Sequence, residues 1–86
     1  MERQTQIFTF GCGHTFPNRF VIIEAETKER CRQIMFNTFG EKWSMQYDYD
    51  KLDDLYKRSM IPLMNITELA DRRIITEVHE QNIVCL

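Results

Sequence analysis

Residues 27–39 carry a helical repeat bracketed by its own start and stop signals, and any fold open to this chain must accommodate that helix. Thr27 has a hydroxyl suited to capping a helix N-terminus. Cys31, Ile34, Met35, Thr38 and Phe39 recur at helical spacing and are expected to face the core, with Glu29, Arg30 and Gln33 largely on the other side. Gly40 accepts a left-handed backbone and stops the helix. A single helix with one apolar stripe needs an apolar surface to cover, and the flanking segments supply one in a different period.

Residues 4–10 alternate, with Phe8 and Phe10 on one face and Ile7 and Thr9 on the other, which predicts a strand. Phe20 to Glu24 is rich in β-branched residues and predicts a second strand, covered on both faces. The two can pair antiparallel across residues 11–19, a loop of about nine residues and long for a hairpin. Trp43, Met45 and Tyr47 alternate with polar residues and predict a third strand with those three on its apolar face. Residues 50–58 predict a short helix, acidic early and basic late as the helix dipole favours. Pro62 ends or bends whatever precedes it. Beyond it the pattern divides. Residues 63–69 fit a strand or a short helix, and 73–78 fit a strand against a competing helix from Thr67 through His79. Residues 82–86 fit a short strand able to pair with a neighbour. The expectation is one α+β domain over residues 1–86. It has a small antiparallel sheet of three to five strands, the main helix (about 27–39) on one face, and a second short helix near 50–58.

At 86 residues the chain is near the lower limit for a core without staples. Six Phe, three Tyr and one Trp are many to bury in so little chain. With the apolar end Ile83-Val84-Cys85-Leu86, they lead us to expect a homo-oligomer built from dimers. A net charge of −2 without a basic tail argues against duplex nucleic acid as a partner. A local basic site stays open if Arg19, Arg30, Arg32, Arg72 and Arg73 cluster in space. No apolar run reaches the roughly 18 residues of a membrane span, and no signal-peptide pattern follows Met1. Three cysteines, an odd set, fit free thiols in a cytoplasm.

The chemistry-bearing residues form no convincing catalytic centre. Gly11-Cys12-Gly13-His14 offers Cys-x-His, but a zinc site needs about four ligands, and Cys31, His79 and Cys85 lie far away in sequence. A small buried cysteine and a turn-capping histidine explain the pair, so no metal and no cofactor are expected. A cysteine–histidine dyad needs hydrogen-bond reach and an orienting third group, and nothing in the sequence fixes either. Gly11-Cys12-Gly13 lacks the Lys-Ser/Thr ending of a phosphate loop. Aromatic residues are core more often than ligand platforms, with Phe16 and Trp43 the best candidates for exposure. An exposed aromatic beside an arginine is a means of holding a base and a phosphate.

The run Phe8-Thr9-Phe10-Gly11-Cys12-Gly13-His14, then Val21 to Ala25, Arg32-Gln33-Ile34-Met35-Phe36 and Phe39 to Tyr47 resembles a family of small phage proteins. Their pattern is TFG-x-G-H, then R-x-x-M-F, then FG-x-K-W-x-x-Q-Y. The resemblance covers residues 8–47, about half the chain. That family in turn resembles the anti-Thoeris sponge proteins, which bind cyclic ADP-ribose-type signals, and in some cases cyclic oligonucleotides, without cleaving them. The resemblance implies a non-enzymatic counter-defence protein in the host cell cytoplasm, with a small nucleotide signal as its ligand. Such a ligand needs arginine for phosphates, a flat or sulfur-bearing face for the base, and amides for polar edges. The stretch 8–47 spanned by the resemblance supplies Phe10, His14, Phe16, Asn18, Arg19, Arg30, Met35, Trp43 and Gln46 as candidates. A chain this small cannot enclose such a ligand alone, which points to a pocket between subunits. The rival readings are a protein-binding inhibitor of a host defence complex, of the anti-CRISPR kind, and an enzyme that cleaves the signal.

Overall fold

The two apolar segments ahead of the helix pair with each other, and everything else is arranged around them. In a computed structural model, which describes residues 3–10, 19–41 and 43–78, β1 (Gln4–Thr9) runs antiparallel to β2 (Arg19–Ala25), with Phe8 opposite Val21. The helix α1 (Lys28–Phe39) crosses one face of this pair. Its ends are as the sequence predicts. The Thr27 hydroxyl accepts a hydrogen bond from the Arg30 N–H (3.0 Å), and the Gly40 N–H, at φ 66°, donates to the Phe36 carbonyl (2.7 Å). Cys31, Ile34 and Met35 face inward and Phe39 is half-buried. Thr38, expected in the core, is exposed, and its hydroxyl bonds back to the Ile34 carbonyl (2.8 Å) instead.

After α1 come β3 (Met45–Asp48), a 3₁₀ turn (Tyr49–Lys51), α2 (Leu52–Lys57), β4 (Ile61–Glu68) and β5 (Ile74–Val78). The sheet order is β3-β1-β2-β4-β5, so the fold class is the expected α+β with five strands. One pairing is not antiparallel: β4 runs parallel to β2, because the chain crosses over through α1, β3 and α2 before returning beside it. The register shifts between Phe20 and Val21, opposite the Pro62–Met64 stretch, and this irregularity is where a strand tolerates a proline that cannot donate to a ladder. The competing helix from Thr67 is displaced by a β4–β5 hairpin. Arg72 takes a positive φ (74°) in its turn, and Leu69 N–H donates to the Arg73 carbonyl (2.8 Å). The predicted strand at 82–86 lies outside the described residues.

Side-chain alternation divides the core into two. Phe8, Phe10, Val21, Ile23, Ala25 and Ile66 meet α1 on one face. Ile7 and Phe20 meet Leu55 of α2 on the other, with the Tyr56 ring edge-on to Phe20 at 5.7 Å. Trp43 departs from the expected alternation. The strand begins at Met45, and Trp43 packs with the α1-side core, edge-on to Phe8 at 5.1 Å, while Tyr47 packs on the α2 side. No helix of the described residues is long and apolar enough to cross a membrane.

Candidate functional site

Lys28, Arg32 and Phe36 are spaced by four residues, so they form one stripe along the flank of α1. That flank faces β3. The β1–β3 register sets Gln46 opposite Phe8 and Asp48 opposite Gln6, which puts Gln6, Gln46 and Asp48 on the α1 side of the sheet. Helix stripe and strand residues meet in an open cleft of about 340 Å³ lined by Gln6, Lys28, Glu29, Arg32, Gln46 and Asp48. A second recess of about 320 Å³ adjoins it around Arg32, Gln33, Phe36 and Asn37. Arg32 lines both.

The cleft is wired as a hydrogen-bonded relay. Arg32 Nε donates to Gln46 Oε1 (3.0 Å), Gln46 Nε2 donates to Gln6 Oε1 (3.0 Å), and Gln6 Nε2 donates to Asp48 Oδ1 (3.0 Å). Lys28 Nζ closes the far end on the same Asp48 oxygen at 3.1 Å. Each amide thus accepts on one side and donates on the other, which fixes its orientation. The Gln6 amide, and then the Lys28 ammonium, hold the Asp48 carboxyl below the usual carboxylate range. Arg32 differs from the other arginines in this neighbourhood. Its Nε donates to a neutral amide, and its guanidinium carbon lies 6.0 Å from the centre of the Trp43 ring. Among the described residues no carboxylate forms an ion pair with it. The arrangement offers cationic donors, polar edges and one half-exposed aromatic face, Phe36, while the Trp43 ring beside Arg32 is partly buried against the core.

Of the residues expected to bind ligand, Trp43 and Gln46 come together here. Arg30 projects from the opposite flank of α1, where its guanidinium grips Glu68 of β4. Phe10 and Met35 sit in the α1-side core, Phe10 edge-on to Phe39 at 5.3 Å. Arg19 opens β2 beside Ile61 of β4, and its carbonyl accepts from the Phe10 N–H (3.3 Å). His14, Phe16 and Asn18 lie outside the described residues. The five arginines that might have clustered do not share one site: Arg32 is on the β3 flank, Arg30 on the β4 flank, and Arg73 pairs with Asp71 in the β4–β5 turn. Sequence reading passed over Gln6, Lys28 and Asp48. The signal for Lys28 and Arg32 was their spacing from Phe36, but which helix flank faces β3 was not in the sequence.

Cys31, expected on the core face of the helix, is fully buried. Its thiol sits against the Ile23 carbonyl (3.4 Å), and burial pushes it up to about 11. No group of three or more metal-ligating side chains occurs among the described residues. No family model, curated protein or solved structure matches the chain.

Proposed function

We propose that the chain is a non-enzymatic phage counter-defence protein that sequesters a nucleotide immune signal, of the cyclic ADP-ribose type or a cyclic oligonucleotide, in the host cytoplasm. The observation supporting this reading is Arg32. It is an exposed guanidinium shared by two adjoining recesses, oriented by Gln46, beside the Trp43 ring and on the same helix stripe as Lys28 and Phe36. Phosphate recognition favours a planar fork of donors held in place before binding. A nucleobase needs a flat apolar partner and fixed polar edges, which Phe36 and the Gln6–Gln46 pair supply. The main recess, at about 340 Å³, is within the size range of small-molecule sites.

The test is retention and release. The purified protein is incubated with cyclic ADP-ribose-type and cyclic oligonucleotide signals, washed and heat-denatured, and the supernatant is analysed by mass spectrometry. The expected result is intact ligand. Arg32→Ala is expected to weaken binding roughly 10- to 100-fold, the equivalent of one charge-assisted hydrogen-bonded contact, with an unchanged circular dichroism spectrum. Retention of none of these signals removes the reading, and release of a cleaved product replaces it with an enzyme.

A further inference from the structure

The two edges of the sheet differ. β3, at one edge, has four residues and borders the polar cleft. β5, at the other, has five, all exposed, with Ile74, Ile75 and Val78 at 50, 54 and 50%. Among the described residues only β4 pairs with it. Within Ile74–Val78 this edge carries large apolar side chains on both faces and no proline, lysine or bulge, Glu77 being its one charge, so little in the strand itself opposes pairing with another strand.

The backbone geometry says which groups are free. The Arg73 carbonyl points at β4, where it accepts from the Leu69 N–H. Along a strand the N–H and C=O of successive residues point to alternate sides. Ile75 and Glu77 therefore address β4, opposite Thr67 and Asn65, while Ile74, Thr76 and Val78 present their N–H and C=O groups to the open edge.

We propose that β5 is a homodimerisation edge, on which β5 of a second copy pairs antiparallel about a two-fold axis at Thr76. In that register Ile74 faces Val78 of the partner, Thr76 faces Thr76, and every outward N–H and C=O of both strands finds its complement. A register centred one residue earlier leaves the Val78 groups opposite Arg72, which lies in the turn with φ 74°. The side chains agree with the backbone. Ile74 and Val78 make apolar cross-strand pairs, Thr76 pairs with Thr76, and Glu77 lies opposite Ile75 and diagonal to both Arg73 and Glu77 of the second copy, the attraction of the one offsetting the repulsion of the other. No two like charges stand directly opposite within the strand. The union joins two five-stranded sheets into one. It leaves both Arg32 clefts at the far edges, so it does not depend on what those clefts bind.

Three measurements test this on the full chain. Sedimentation equilibrium at tens of micromolar is expected to give twice the 10.4 kDa monomer mass. Thr76→Lys and Thr76→Glu each set like charges across the axis and are expected to raise the dimer Kd about tenfold or more. An equimolar mixture of the two is expected to regain the dimer. Amide exchange in the wild type is expected to show Ile74, Thr76 and Val78 gaining protection with concentration, while Ile75 and Glu77 are protected throughout. A monomer at about 100 µM, dimers that persist in both single variants, or outward amides already protected in the monomer overturn the proposal. The last result would mean that another part of the same chain covers the edge. The exchange measurement needs no substitution, so a variant that misfolds does not shield the idea.

Discussion

Truncating Arg30 should cost this domain a large part of its stability, because it would strand a carboxylate in the core. Glu68 is 2% exposed, and Arg30 Nε donates to both its carboxylate oxygens (3.0 and 2.9 Å) while Nη2 donates to Oε2 at 2.6 Å. Breaking a buried pair by removing one partner costs about 3–5 kcal/mol. The Arg30 side chain is itself 30% exposed, so water can enter the space it leaves, and we expect about 2–3 kcal/mol for Arg30→Ala. In a domain of this size that lowers Tm by roughly 10–20 °C. Urea unfolding followed by fluorescence of the single tryptophan, Trp43, measures it. The double variant Arg30→Met/Glu68→Leu removes charge and partner together and should recover to within about 1 kcal/mol of wild type. The pH dependence has a definite sign. The Arg30 hydrogen bonds hold the Glu68 carboxyl below its ordinary value. Its contribution is therefore complete above the unfolded-chain glutamate pKa, about 4.3, and is lost as pH falls through the lower folded value. The Arg30→Ala deficit should be largest near neutrality and shrink in acid. A deficit that stays constant from neutral pH to about pH 3, or a double variant as unstable as the single, would refute this account.

Met35→Ala is expected to destabilise the fold by about 2–5 kcal/mol, since the side chain is wholly buried between α1 and the sheet; an unchanged denaturation midpoint would contradict that packing. Cys31 is expected to resist thiol reagents in the native protein and react only as the domain opens, because the thiol is buried and pushed up to about 11. Labelling a Cys12→Ser/Cys85→Ser variant, with and without denaturant, measures this, and rapid native labelling of Cys31 would count against it.

The parts of the fold legible in the sequence are those set by local period and end signals. Thr27 and Gly40 bracket α1 within a residue of where it begins and ends, because a cap is a contact between near neighbours. The stretch from Thr67 through His79 was ambiguous for a matching reason. Local period there fits a helix as well as a strand, and only pairing with β2, itself fixed by Val21 and Ile23 far upstream, makes β4 a strand onto which Ile74–Val78 folds back as β5. The parallel sense of that pairing has no local signature at all. Trp43 misled because period-two alternation describes a strand and the strand starts two residues later. Arg30 and Arg32 look equivalent along the chain but stand about 200° apart on the helix. Which of them is neutralised depends on Glu68, whose sequence separation from Arg30 is 38.

The same limit explains why the two ends of the sheet went unread. A strand's chemistry depends on whether it is an edge, and edge position is a property of strand order, which no window of residues contains. Gln46 and Asp48 would be ordinary solvent-facing residues in an edge strand left uncovered; beside α1 they become one wall of a cleft. Ile74, Ile75 and Val78 would be a normal apolar core in a central strand, yet at the edge they stay half-exposed. The order β3-β1-β2-β4-β5 thus separates a polar, ion-paired end from an apolar, self-complementary one. If the cleft binds a charged ligand and β5 a second copy, as proposed above, the sheet keeps the two uses about four strands apart. If the two ends act independently, Arg32→Ala should leave the sedimentation mass unchanged, and Thr76→Lys should leave ligand retention per chain unchanged.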